Sequence, residues 1–295
     1  YDGSDTATEN ITLVKVKKYG VSATQTVNMS TSHTETFTIN VPYIVDVNGN
    51  GDYTTIQAAI DNATAGKTIK VWAGTYNEDI LVNKTLTLVG NGTTSIINGT
   101  ESEDNNVVKI TADWVNLSNF KIKDSNGLGT GQQGIYITSD NNVITNINIL
   151  YADVWGIRLT SSNNNTIHNN VISGGGIGGI DIGSSSNYNK ISNNSISGNA
   201  GLGIQVGSSD NNLFRNNIIK SNTVGGIVFS NSDNNTISDN TIEDNNNYAI
   251  KLSGSDNNTI TNNTIEDNED YGIYLTGNCA PCIGSDNTTI SKNTI

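Results

Sequence analysis

Seven short segments of the form Gly/Ala-Ile-x-apolar recur at near-constant spacing, and that spacing constrains the fold more than any other feature of the chain. GIYIT begins at Gly134, GIRLT at Gly156, GIDIG at Gly179, GIQVG at Gly203, GIVFS at Gly226, AIKLS at Ala249 and GIYLT at Gly272. Successive starts lie 22, 23, 24, 23, 23 and 23 residues apart. A fixed period in this range marks a solenoid, in which each repeat buries its apolar side only against its neighbours. Each repeat holds three short apolar pieces, such as GIVFS (226–230), NNTIS (234–238) and NTIED (240–244). Within a piece, apolar and polar residues alternate, which is the period of a strand. Asn, Asp, Ser and Gly fill the joints, where tight turns and left-handed backbone are needed.

Three strands and three turns in about 23 residues predict an all-β chain, a right-handed parallel β-helix with coils about 4.8 Å apart. Polar, Asn-rich tracts usually signal disorder. Here the isoleucines hold register through all seven repeats, which disorder would not preserve. Leucine-rich repeats and calcium-binding nonapeptide rolls have different signatures, and neither pattern is present. Stacking also accounts for the composition. Asn170, Asn194, Asn217, Asn240, Asn263 and Asn293 fall at one place in successive coils, and Asn142, Asn165, Asn189, Asn212, Asn235 and Asn258 at another. Stacked amides can bond along such a column. A narrow core of stacked isoleucines explains why 34% apolar residues suffice.

The formal net charge is −13, which argues against nucleic acid as a partner, since that requires clustered Lys and Arg. No run of about 18 apolar residues is present, so no membrane-spanning helix is expected. Residues 1–20 lack a basic n-region and an apolar h-region, the expectation for a mature, secreted chain.

The repeat gives way at both ends. Residues 1–40 include β-rich pieces (ITLVKVKKYG and TETFTINV) and are expected to form a small β extension, packed on the helix end or docked on a neighbouring subunit. Residues 41–67 contain GDYTTIQAAID, and GKTIKVWAGTYNE and KTLTLVG follow. Thr55 to Ala63 places Ile56, Ala59, Ile60 and Ala63 on one stripe, predicting an amphipathic helix that caps the first coil. Residues 68–295 are expected to be the β-helix itself, with an uncapped C-terminal end that either continues or is covered by a partner. These opening words resemble the N-terminal turn of pectinesterase- and pectate-lyase-type β-helices. The remainder resembles the Asn-rich β-helix repeats of surface proteins, common in archaea and including relatives of the periplasmic copper-maturation factor family.

The pectinesterase resemblance extends to the structural GxYxE word, Gly74 to Glu78, and loosely to Gln132 or Gln133. The later blocks that carry that family's catalytic aspartates and arginine are missing, so no esterase is expected and no catalytic residue is assigned. One outward column, Tyr136, Arg158, Asp181, Gln205, Val228, Lys251 and Tyr274, offers either a sugar groove (Tyr136, Arg158, Tyr274) or a solvated face with an Arg158–Asp181 ion pair. Glu243 and Asp244 are expected to stack on Glu266 and Asp267, beside Glu269 and Asp270. Calcium would relieve that repulsion, which makes Asp244, Asp267 and Asp270 candidate ligands and calcium the one cofactor in view. Cys279 and Cys282 sit in an inserted loop and suit a local disulfide or a link to a neighbouring subunit. Asn-x-Ser/Thr triplets occur at Asn10, Asn28, Asn83, Asn116, Asn287 and elsewhere, many by composition. His168 reads as a turn residue.

Together these features predict an extracellular or cell-envelope structural protein that binds copies of itself in a layer, sheath or filament. The alternatives are a carbohydrate-active or carbohydrate-binding β-helix of lyase or epimerase type, contacting cell-surface glycans, and a tailspike-type adhesin.

Overall fold

The computed structural model describes residues 41–100, 106–123, 133–277 and 285–295, with four two-residue strands before them. The chain divides into two compact units, Tyr1–Asn40 and Val41–Ile295. In the first unit Thr8–Glu9 pairs antiparallel with Val27–Asn28, and Thr12–Leu13 with Ala23–Thr24. Most of TETFTINV lies outside the described residues.

The second unit is a right-handed parallel β-helix with three sheets. An eleven-strand sheet runs from Tyr43–Val45 to Thr289–Ser291. A long-strand sheet of nine runs from Ile80–Val82 to Tyr271–Thr276, and a third sheet, also of nine, from Gly74–Asn77 to Thr264–Glu266. One coil uses Gly225–Ser230, Thr236–Ser238 and Thr241–Glu243, one strand per sheet. Each strand pairs in parallel with its equivalent in the next coil, as in Ile227↔Ile250, Ile237↔Ile260 and Ile242↔Ile265.

Strand length sets how many side chains face inward. A three-residue strand turns only its middle residue into the core, so Ile237 and Ile242 are fully buried while Thr236, Thr241 and Glu243 are half-buried. A six-residue strand turns in two, as Ile250 and Leu252 do. The result is four apolar columns, mostly isoleucine, whose branched side chains suit a pleated surface. Each such buried side chain contributes about 1.5–3 kcal/mol.

The corners require left-handed backbone, which short polar residues tolerate best. Asn164, Asn193, Asn216, Asn234, Asn257 and Asn262 have φ between 55° and 57°. Trp114, Tyr151 and Tyr188 take up the same conformation at φ of 62°, 58° and 59°, with rings left exposed. Inside each corner, backbone N–H groups would be buried without partners. The ladders satisfy them. Asn194 N donates to Asn217 Oδ1 at 3.0 Å, Asn194 Nδ2 donates to the same oxygen at 3.0 Å, and Asn217 repeats the pattern with Asn240.

One helix, α1 (Ile56–Asn62), covers the first coils. The Thr55 side chain accepts from Ala58 N, and Ile56, Ala59 and Ile60 are buried beneath it. Glu78 accepts from Ile56 N at 2.7 Å and Gln57 N at 2.9 Å. Lys84 Nζ donates to the carbonyls of Ile60, Asp61 and Ala63 at the other end. Opposite charges thus meet opposite ends of the helix dipole. At the far end of the coils Leu275 is 39% exposed and Ile290 44%.

Candidate functional site on the outer face of the long-strand sheet

The long strands present one outward residue per coil between two inward ones. Register places Tyr136 beside Arg158, Arg158 beside Asp181, Asp181 beside Gln205, then Val228, Lys251 and Tyr274 in turn. The column expected from sequence is therefore present, one residue per coil. Tyr136 and Tyr274 stand six coils apart, about 29 Å at the strand spacing. The column divides into two chemically different patches.

The first patch is Arg158 with Asp181. Arg158 Nε lies 3.1 Å from Asp181 Oδ2, and the Asp181 side chain is only 8% exposed. Gln205 Nε2 adds a long contact to Asp181 Oδ1 at 3.4 Å. Burial pushes the Asp181 carboxyl above the ordinary aspartate range, and Arg158 and Gln205 offset only part of that. Three residues back along the same strands, Trp155 is buried against Gly178, where an added Cβ would come within 2.1 Å of the indole. Glycine is needed there because any Cβ would collide with the ring of the neighbouring coil. Trp155 N also donates to Gln133 Oε1 at 3.2 Å, which gives Gln133 a structural role. Gln132 lies outside the described residues.

The second patch is aromatic. Tyr271 and Tyr274 stack at 4.9 Å and 25°, and Tyr248 lies 6.3 Å from Tyr274 at 10°. Lys251 Nζ sits 4.8 Å from the Tyr248 ring centre and 5.8 Å from that of Tyr274. Tyr271 is 52% exposed and Tyr274 36%. Exposed parallel rings beside an ammonium group offer a flat apolar face with an attached cation.

The acidic stack forms as expected, with Glu243 opposite Glu266. Lys220 Nζ lies 3.5 Å from Glu243 Oε1 and offsets part of the repulsion. Asp244 and Asp267 occupy exposed left-handed corners, and Asp270 is exposed. Among the described residues, no three His, Cys, Asp or Glu side chains converge closely enough to hold a metal ion. Cys279 and Cys282 lie outside the described residues. His168 is a strand residue in Thr166–His168, with Nδ1 3.4 Å from the Thr145 hydroxyl.

Three features were not read from the sequence. A third amide ladder links Asn199, Asn222, Asn245 and Asn268, and a hydroxyl ladder links Ser162, Ser186, Ser209, Ser232 and Ser255. Both repeat with nearly the same spacing as the two ladders that were read, which was the available signal. The third is a cleft of about 580 Å³ whose lining includes Asp46, Asn48, Lys70, Trp72 and Asn91. The Asn48 backbone N–H holds Asp46 below the usual carboxylate range. Tyr76 Oη and Ser95 Oγ, each 3.0 Å from Trp72 O, fix the wall. Only folding brings these residues together.

Residues 106–255 and 178–295 match the family described as the right-handed beta helix region. A cell surface glycoprotein of Methanothermus fervidus is 37% identical over 133 residues, which is 44% of this chain and 18% of that protein. The enzymatically active domain of bacteriophage CBA120 tailspike protein 2 superposes with a TM-score of 0.61 at 15% identity, covering 80% of this chain and 43% of that one. The A-module of an Azotobacter vinelandii mannuronan C-5 epimerase superposes with a TM-score of 0.56 at 20% identity, covering 72% of this chain and 71% of the module. At those identities the likeness is one of fold. The chain thus spans less than half of the glycoprotein and of the tailspike domain.

Proposed function

The chain belongs to the right-handed β-helix family, and we propose that it is a structural protein of the cell surface. In this reading the β-helix is a rigid element that joins copies of itself into a layer, sheath or filament. The observation that carries it is the uniformity of the coils. The same apolar columns and amide ladders run from coil to coil, which suits a stiff, regular element. The similarity to a cell surface glycoprotein supports the location. In an oxidising exterior Cys279 and Cys282 would form either a disulfide within their loop or a link to a neighbouring subunit. The acidic surface suits solvated contacts that cations could bridge. Protease treatment of intact cells tests the location: the protein should be cut without lysis, and complete protection until lysis would overturn the reading.

A second reading, binding of cell-surface glycans, is favoured by one observation. The patch of exposed Tyr271 and Tyr274 with half-buried Tyr248 and Lys251 has the apolar face and polar edge that a sugar ring needs. A glycan array, with a parallel screen for unsaturated uronate absorbance, tests it. Retained binding after Tyr271→Ala and Tyr274→Ala would remove this patch from consideration.

A further inference from the structure

Consecutive asparagines divide their work at the corner between the long-strand and eleven-strand sheets. In Asn234-Asn235-Thr236 the second asparagine is buried and committed to the scaffold. Its N–H donates to Asn258 Oδ1 at 2.8 Å and its Nδ2 to Ser209 O at 3.2 Å. The first, Asn234, is exposed with φ 57°. Its amide makes no side-chain hydrogen bond among the described residues. In Asn164-Asn165-Thr166 the Asn165 N–H donates to Asn189 Oδ1 and its Nδ2 to Ser139 O, in Asn257-Asn258-Thr259 the Asn258 Nδ2 donates to Ser232 O, and Asn287 heads Asn-Thr-Thr at the same corner. Asn164, Asn257 and Asn287 have φ of 56°, 56° and 54° and are exposed.

Each of these four heads an Asn-x-Thr triplet, the acceptor pattern for N-linked glycans. None of the buried ladder asparagines does. At this corner the acceptor pattern thus falls on the exposed asparagine rather than on the ladder asparagine beside it. We propose that Asn164, Asn234, Asn257 and Asn287 are acceptors for N-linked oligosaccharide, in a row along one corner. This rests on the surface location proposed above. In the transfer, Asn Nδ2 forms a bond to the anomeric carbon of a diphosphate-activated oligosaccharide. The sugar C1–O bond breaks, the diphosphate leaves with the electron pair, and Nδ2 gives up one proton.

Register limits how the row is filled. Asn234 N bonds Asp256 O and Asn257 N bonds Asp286 O, so Asn234, Asn257 and Asn287 occupy successive coils. They are about 4.8 Å apart, and a branched oligosaccharide is wider than that. Asn257 therefore competes with both neighbours. Asn164 lies three coils before Asn234, about 14 Å away, and fills independently.

The test is mass spectrometry of glycopeptides from the native protein, alongside protease accessibility on intact cells. The expected result is sugar mass at Asn164 and at Asn234 or Asn287, with Asn257 modified only on molecules whose neighbours are bare. The double variant Thr236→Ala, Thr289→Ala keeps every asparagine of the scaffold. It should lose the mass at Asn234 and Asn287 and gain it at Asn257. Unmodified peptides at all four positions would overturn the proposal, even from protein shown to be exposed on the cell. So would a double variant of unchanged mass distribution, or sugar on all three adjacent positions of one molecule.

Discussion

A single ladder asparagine does more here than most polar side chains. Asn217 accepts from the N–H and Nδ2 of Asn194 and donates from Nδ2 to Ile191 O and Asn240 Oδ1. Asn217→Ala leaves a buried backbone N–H and a buried carbonyl without those partners. The expected cost is roughly 2–4 kcal/mol by denaturant unfolding, and a loss below about 0.5 kcal/mol would contradict the role assigned to the ladder. Asp181 makes a different prediction. Its carboxyl is raised by burial, so the folded state binds its proton more readily than the unfolded state. Its contribution to stability is therefore greatest at low pH. It falls as pH rises from the ordinary aspartate range through the raised value. Asp181→Asn should remove that part of the pH slope of stability, and identical slopes in both proteins would contradict it.

At the scale of elements, the strands and the helix were legible because their residues carry two separate messages. Ile237 and Ile242 report the strand period, and the flanking asparagines report the corners. The stripe Ile56, Ala59, Ile60 likewise reported the helix now seen at Ile56–Asn62. What holds that helix in place was less legible, since Glu78 and Lys84 reach it from connections between strands 20 or more residues away. The GxYxE word announced Glu78 without its contacts. Glu78→Ala removes the acceptor of the Ile56 and Gln57 N–H groups, at a cost of about 1–3 kcal/mol. Amide exchange should accelerate in the helix and first coil while the later coils keep their protection. Unchanged helix exchange would show that the carboxylate does not anchor it.

At the scale of the whole molecule, periodicity gave the architecture and left the function in the exceptions to it. Tyr136, Arg158 and Tyr274 shared a column in sequence, but counting coils separates them into two patches. The stacked rings of Tyr248, Tyr271 and Tyr274 depend on side-chain angles that no spacing reports. The Trp72 cleft joins residues from separate turns, which a one-dimensional repeat cannot reveal. The function proposed for this β-helix is to join others of its kind at the cell surface. Electron microscopy of material taken from native cells, with and without reductant, tests it most directly. Ordered filaments or sheets are expected, losing order with reductant if Cys279 and Cys282 link subunits. Discrete single particles under both conditions would contradict it.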